Sequence, residues 1–248
     1  MARGFSIQRI LLTITVLAGM VVSSAALAQN GDDSWSQCDN DPNPDVKISA
    51  CTAVIQSGQP EHYGPALERR GDAYAKKGET DNAIDDYSQL LALEPNFAPA
   101  LDNRGNEFTK EGQYDRAMQD YNQAIQLQPD QFKAYNNRCL VRAIIGDLQP
   151  ALADCDQALK LALKLAPDEV SHIYDSRGFV NLKMKNAAAA IADYDEAIKS
   201  DPTLGSSFYG RGLAKQMRGD RLDGDADLAV AKKLTPTIAE QFAKWGVK

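Results

Sequence analysis

From Gly64 onward, one pattern of side chains returns about every 34 residues in this chain of 248. Leu67, Arg70-Gly71, Tyr74, Ala83, Tyr87 and Pro95 come back as Leu101, Arg104-Gly105, Phe108, Ala117, Tyr121 and Pro129. A third copy reads Tyr135, Arg138-Cys139, Ala151, Cys155 and Pro167, and a fourth reads Tyr174, Arg177-Gly178, Ala190, Tyr194 and Pro202. The fifth has Phe208, Arg211-Gly212, Gly224, Leu228 and Pro236. In each copy an apolar set at helical spacing is followed by a turn, which carries Gly78, Gly112, Gly146 or Gly219 in four of them. A second helical set then runs to the proline. Two helices that each expose an apolar stripe cannot bury it alone, so neighbouring copies must stack.

These residues resemble the tetratricopeptide-repeat family, whose pattern places an aromatic, a small residue and a second aromatic on one helix, then Ala, an aromatic and a closing Pro on the next. The resemblance implies an all-α fold, a right-handed superhelical solenoid of five helix pairs with terminal capping helices. The copies occupy 64–97, 98–131, 132–170, 171–204 and 205–238, with 29–63 as an N-terminal segment. Val46 to Ser57 reads as a lone capping helix, and Ile238, Phe242 and Trp245 mark another at the opposite end, of which 239–248 form the last part. The third copy is longer by a near-duplicated LALK around Leu159 to Ala166, about one added helical turn. Neutral slippage and a protruding partner contact are both compatible with that addition.

One feature departs from the family pattern in all five copies. An Arg stands before the small residue, at 70, 104, 138, 177 and 211, and 16 residues after each lies an acid: Asp86, Asp120, Asp154, Asp193 and Asp227. The fixed separation reads as a structural ladder of Arg–Asp pairs between first and second helices, within a repeat or to the next. An anion-binding Arg stripe is the alternative. The small residues (Gly71, Gly105, Gly178 and Gly212) let the first helix approach the second closely near Ala83, Ala117, Ala151 and Ala190.

Residues 1–28 form a separate unit: Arg3 and Arg9, an uncharged run from Ile10 to Val22, then Ala26-Leu27-Ala28. This reads as a signal peptide cleaved after Ala28, with an uncleaved anchor as the alternative, and Met20 stands where a lipoprotein would need Cys. The expected location is periplasmic or secreted, with no stable membrane insertion after cleavage. Removing Arg3 and Arg9 changes the formal charge from −7 to −9. In an oxidising compartment the four cysteines suggest disulfides, and their number alone allows three pairings. Placed on the repeats, Cys139 and Cys155 replace the facing small and aromatic residues of one copy, which leaves Cys38 and Cys51 around a loop-forming run, Asp39 to Pro44. The expected bridges are Cys38–Cys51 and Cys139–Cys155; two buried free thiols are the alternative at the second site.

Net acidity argues against nucleic acid, whose affinity rests on clustered Lys and Arg. Only His62 and His172 are present, without nearby ligand clusters, and no catalytic motif stands out, so no enzyme activity, metal or cofactor is expected. Repeats of this family work through the concave face lined by first helices. By resemblance that face includes Glu68, Asp72, Asp102, Asn106, Asn136, Leu140, Asp175, Phe179, Leu182, Tyr209 and Leu213. It shifts from acidic and amide-rich to apolar, which suits a peptide or helix with a basic end and an apolar end. Glu68 and Asp72 stand where chaperone-binding relatives hold a carboxylate, which speaks against that role. The expected function is a periplasmic protein-interaction scaffold, with a self-associating envelope assembly subunit as the alternative.

Overall fold

The computed structural model describes residues 33–247, so the signal-peptide reading of 1–28 lies outside the described residues. Within 33–247 the fold is all-helical, and the copies form a right-handed solenoid of helix pairs. Residues 33–40 are helical (α1), and α2 spans Pro44–Ser57. The five pairs follow: α3 (Pro60–Lys77) with α4 (Thr80–Leu93), α5 (Ala98–Lys110) with α6 (Tyr114–Leu127), and α7 (Phe132–Ile145) with α8 (Leu148–Leu165). Next come α9 (Ser171–Lys183) with α10 (Ala187–Ser200), α11 (Gly205–Arg218) with α12 (Arg221–Leu234), and a final α13 (Ile238–Lys244). Consecutive first helices touch one another, as in α5 with α7 and α7 with α9, whereas second helices mainly contact their neighbours in sequence. The stack therefore curves toward its first helices, which line the concave side.

Each pair closes through a residue in the left-handed region. Gly78 (φ 75) ends α3, with its N–H on the carbonyl of Ala75 and the next N–H, of Glu79, on that of Tyr74, so two terminal carbonyls are satisfied. The fourth copy has no glycine at this turn, and Lys185 takes the same conformation (φ 61). Proline at the end of each second helix blocks its continuation, and the next first helix begins within a few residues.

All five Arg–Asp pairs form within their own repeats. Arg104 donates from Nε and Nη2 to both oxygens of Asp120, each at 2.8 Å. Arg70 holds Asp86 at 2.8 and 2.7 Å, Arg138 holds Asp154 at 2.8 and 2.6 Å, and Arg211 holds Asp227 at 2.8 and 2.7 Å. Arg177 clasps Asp193 with a shortest contact of 2.6 Å. The remaining nitrogen, Nη1, reaches back to the preceding second helix: Ser88 accepts from Arg104, Asn122 from Arg138, Asp156 from Arg177 and Asp195 from Arg211. Each acceptor stands two residues after its own copy's ladder Asp. Thr52 plays this part for Arg70. Every guanidinium also lies over an aromatic ring of its own helix, such as Phe108 at 5.6 Å for Arg104. One side chain thus joins three helices, and the pairs answer both halves of the expectation, within a repeat and between repeats.

The close approach of first to second helix is set by a glycine against a ring. A Cβ added at Gly105 would lie 2.6 Å from the Tyr121 ring, and Gly71 and Gly178 face Tyr87 and Tyr194 in the same way. The small residue therefore accommodates the tyrosine more than the alanine expected from sequence. In the third copy the same two places are Cys139 and Cys155, which are disulfide-bonded with their Cα atoms 5.4 Å apart. A covalent bridge stands in for the glycine–tyrosine contact.

Both ends differ from the sequence expectation in detail. The loop-forming run is partly helical, since Asp39 and Asn40 belong to α1 and only 41–43 connect it to α2. Asn43 caps α2 by accepting from the Asp45 N–H at 2.9 Å. The first helix of the first copy starts at Pro60, with Pro65 inside it, rather than at Gly64. Disulfide Cys38–Cys51 ties α1 to α2, and Trp35 stacks on His62 at 4.4 Å, so this half-repeat closes the N-terminal end. The extra turn of the third copy lengthens α8 to 18 residues against 14 for α6, leaving Leu163 and Leu165 exposed. It falls after both Asp154 and Asp156, so the ladder keeps its register. The last helix is α13, Ile238–Lys244; it stops short of 248 and lies on the concave side instead of extending the stack.

Removing one partner of a largely buried ion pair strands the other. Asp120→Ala is expected to destabilise the protein by roughly 2–4 kcal/mol. Arg104→Lys keeps the charge but loses the fork, for about 1–2 kcal/mol. Urea unfolding of both variants checks this order, and losses below ~0.5 kcal/mol for both would mean the pair is effectively solvated. In the third copy, Cys155→Tyr alone places a ring against a side chain and is expected to unfold at lower urea than Cys139→Gly with Cys155→Tyr, which restores the pairing of the other copies.

Candidate functional site

The concave face holds an open groove of about 1340 Å³. Its walls come from the first helices of the first three copies, with Asp72, Asn103, Asn106, Asn137 and Leu140, and from α13, with Gln241 and Trp245. Two of the tyrosines that pack on glycine, Tyr87 and Tyr121, pass their hydroxyls through to this face, whereas the Tyr194 hydroxyl stays buried. Tyr87 donates to Asp72 at 2.7 Å, and Tyr121 donates to Asn106 at 2.8 Å while sharing a 3.1 Å hydrogen bond with Thr109. Burial, together with the neighbouring Asp72 carboxylate, pushes the Tyr87 hydroxyl's pKa far up, and burial does the same for Tyr121, so both remain neutral donors. The wall is thus a row of oriented amide, hydroxyl and carboxylate groups, suited to hydrogen-bonding an extended backbone.

Several acids expected in the groove instead join adjacent first helices. Asp102 is buried and accepts from Asn137 Nδ2 at 3.0 Å. Asp175 accepts from the hydroxyls of Ser206 and Ser207 at 2.9 and 2.6 Å, and Asp72 also accepts from Asn103. Burial raises Asp102 to about 6 despite the Asn137 hydrogen bond, and it raises Asp175 as well. Glu68 lies by the N-terminal mouth, where it accepts from Arg69, which also holds Asp39 at 3.0 Å. Asn136 lines a side pocket with Asp102, Lys133 and His172.

The apolar half is covered. Phe179 and Leu182 are buried, and Ile238 and Phe242 of α13 pack into the same cluster with Leu140, Tyr209, Leu213 and Trp245 at its margin. Phe242 and Trp245 meet the Phe179 ring edge to face at 5.5 and 5.4 Å, and Tyr209 lies 4.8 Å from Phe242. Of the eleven groove residues read from sequence, Asp72, Asn106 and Leu140 line the open groove, while Phe179, Leu182, Tyr209 and Leu213 contribute to the cluster joined by α13.

Three family profiles match the chain: one described as TPR repeat at 105–143, and two described as tetratricopeptide repeat at 64–97 and 171–204. The chain is a tetratricopeptide-repeat protein. No curated protein is a significant match. Among solved structures, a tetratricopeptide repeat protein from Parabacteroides merdae is similar at 17% identity and a TM-score of 0.67, covering 88% of this chain and 87% of that one. MamA is similar at 22% identity and 0.54, covering 73% and 96%. YrrB, described as a TPR protein with an unusual peptide-binding site, is similar at 16% and 0.53, covering 79% and 99%. At these identities the likeness is one of fold.

In this repeat protein the most informative groove residues missed from sequence are Asn103 and Asn137. They carried a signal, since each directly precedes a ladder Arg and they stand 34 residues apart. The role of Gln241 and Trp245 had no periodic signal, because α13 follows the last copy. The raised Asp102 makes stability depend on pH. With a folded value of about 6 against an ordinary 3.8, the folded protein holds the proton more tightly. That contribution is fully present below about pH 4 and is lost as pH rises through about 6. Asp102→Asn keeps an oxygen for Asn137 and is expected to stabilise the protein at pH 7.5 by roughly 1–3 kcal/mol, with little effect at pH 4. Thermal unfolding at both pH values tests it; no gain at pH 7.5 would mean the carboxylate is paired or hydrated.

Proposed function

We propose that this protein is a non-enzymatic interaction scaffold of the periplasm, holding a peptide or partner helix in its concave groove. The observation that carries the reading is the open wall of Asp72, Asn103, Asn106 and Asn137, a row of hydrogen-bonding groups beside an apolar floor. Such a row suits main-chain recognition, with side-chain pockets adding selectivity. The peptide-binding site in the printed description of YrrB supports a groove role for this shared fold. Periplasmic location is supported by Arg3, Arg9, the apolar run from Ile10 to Val22 and the small residues Ala26 and Ala28, together with the two disulfides.

A second reading, assembly through self-association, is favoured by α12. Its outer face carries Leu222, which is 87% exposed, with Val230 and Leu234 also exposed, because α13 turns into the groove instead of covering it. Crosslinking distinguishes the two. A photoreactive residue in place of Asn103 is expected to form adducts with another protein in cells, while one in place of Gln126 on the second-helix side is not. Adducts from Leu222 to the chain itself, with none from Asn103, would favour assembly. N-terminal sequencing of the protein from the periplasmic fraction is expected to begin at Gln29; a retained Met1 would sink the export reading.

A further inference from the structure

The apolar half of the concave face already carries an occupant. Helix α13 lays Ile238 and Phe242, each 1% exposed, against Phe179 and its neighbours, with Trp245 beside them at the same helical spacing. Lys183 fixes the end of this helix: its ammonium donates to the Trp245 carbonyl at 2.9 Å and to the Ile144 carbonyl at 3.1 Å, joining α13 to the last turn of α7. A floor of aromatic and aliphatic side chains with a cation at a helix C-terminus is complementary to an amphipathic helix, through burial of its apolar face and through its terminal carbonyls.

The contact has features of a replaceable ligand. Seven residues are well below the length at which a helix is stable by itself, and no side chain caps its N-terminus. Its capping turn at Gly246 halts it at the edge of the open groove, where Trp245 and Gln241 form a wall opposite Asn106 and Asn137. A longer helical ligand on the same floor would continue past Trp245 to the amide row. With α13 displaced, its Glu240 and Lys244 leave the groove, and Asp72 and Glu111 remain beside the Glu107–Lys110 ion pair, which favours basic residues in that continuation.

We propose that the apolar half of the groove is a receptor for an amphipathic helix presenting an aliphatic residue and two aromatics at i, i+4 and i+7, with α13 as its intramolecular occupant, which a partner helix displaces. The proposal rests on the groove being the partner site and adds the chemistry of the partner and the competition it meets. Only Thr235 to Thr237 tether α13, and so short a link gives an effective concentration on the order of millimolar. A free copy of the same helix at micromolar concentration therefore cannot compete, whereas a partner with added contacts on the amide row can.

The test uses a fluorescent synthetic peptide of residues 235–247 and the full-length protein, with binding read by anisotropy. Wild type is expected to bind at least tenfold more weakly than the Phe242→Ser/Trp245→Ser variant, in which the floor is vacated. The same peptide carrying Phe242→Ser should bind neither. Ile238→Ser, which weakens the contact made by α13 itself and leaves the floor and Lys183 intact, provides the second variant if the first loses helicity, and it too must bind the peptide more tightly than wild type. Equal affinity for wild type and a folded opened variant would overturn the competition, and no binding to that variant would overturn helix recognition. If adducts from Asn103 persist in either case, the scaffold reading survives without this one; if they are also absent, both fail.

Discussion

A guanidinium in a fixed three-way clasp holds the repeats together. Each ladder Arg spends two donors on a carboxylate of its own repeat and one on the second helix before it, while its flat face rests on an aromatic ring. Lysine could not reproduce that fork, because a point charge lacks the planar array of donors. Since the ladder acids are nearly buried, the pairs sit where screening by salt is weak, and their geometry fixes both the approach of two helices and the step to the preceding pair. The two ends follow from the same rule. The half-repeat α1–α2 has Gln37 and Ala50 at the ladder places but keeps Thr52 as an acceptor, and the last copy has Ala229 where an acceptor for a following repeat would stand.

The glycine–tyrosine contact links the scaffold to its working face. Because a first helix has no side chain at Gly71 or Gly105, the opposing tyrosine lies flat between the helices and delivers its hydroxyl to the groove. Packing and recognition thus share one residue. In the third copy the disulfide takes over the packing and supplies no hydroxyl, so the groove wall there is made by Asn137 and Leu140.

The fold was legible because one pattern recurs five times, and chance similarity rarely survives that many copies at an offset that changes only at the lengthened third one. The Arg–Asp pairing and the cysteine pairing were legible for the same reason, since each residue's place in the repeat identified what it faced. The groove was less so. Stepping along the first helices from Glu68 led to Asp102 and Asp175, which turn sideways to the next first helix, while Asn103 and Asn137, one position further on, reach the open side. A one-residue rotation separates these faces, which is finer than a hydrophobic pattern resolves. The course of α13 depends on contacts such as that between Phe242 and Phe179, 63 residues apart, and no local periodicity encodes them.

The bridge between Cys139 and Cys155 joins the two helices of the middle repeat, whereas every other repeat is closed by non-covalent contacts alone. Repeat arrays open most easily from their ends, one pair at a time. Here fraying from the C-terminal side can run through the fifth and fourth copies but meets a pair of helices that cannot part. Amide hydrogens of α7 and α8 are thus shielded from end-fraying, and reduction would turn the centre of the array from a barrier to that opening into one more step along it.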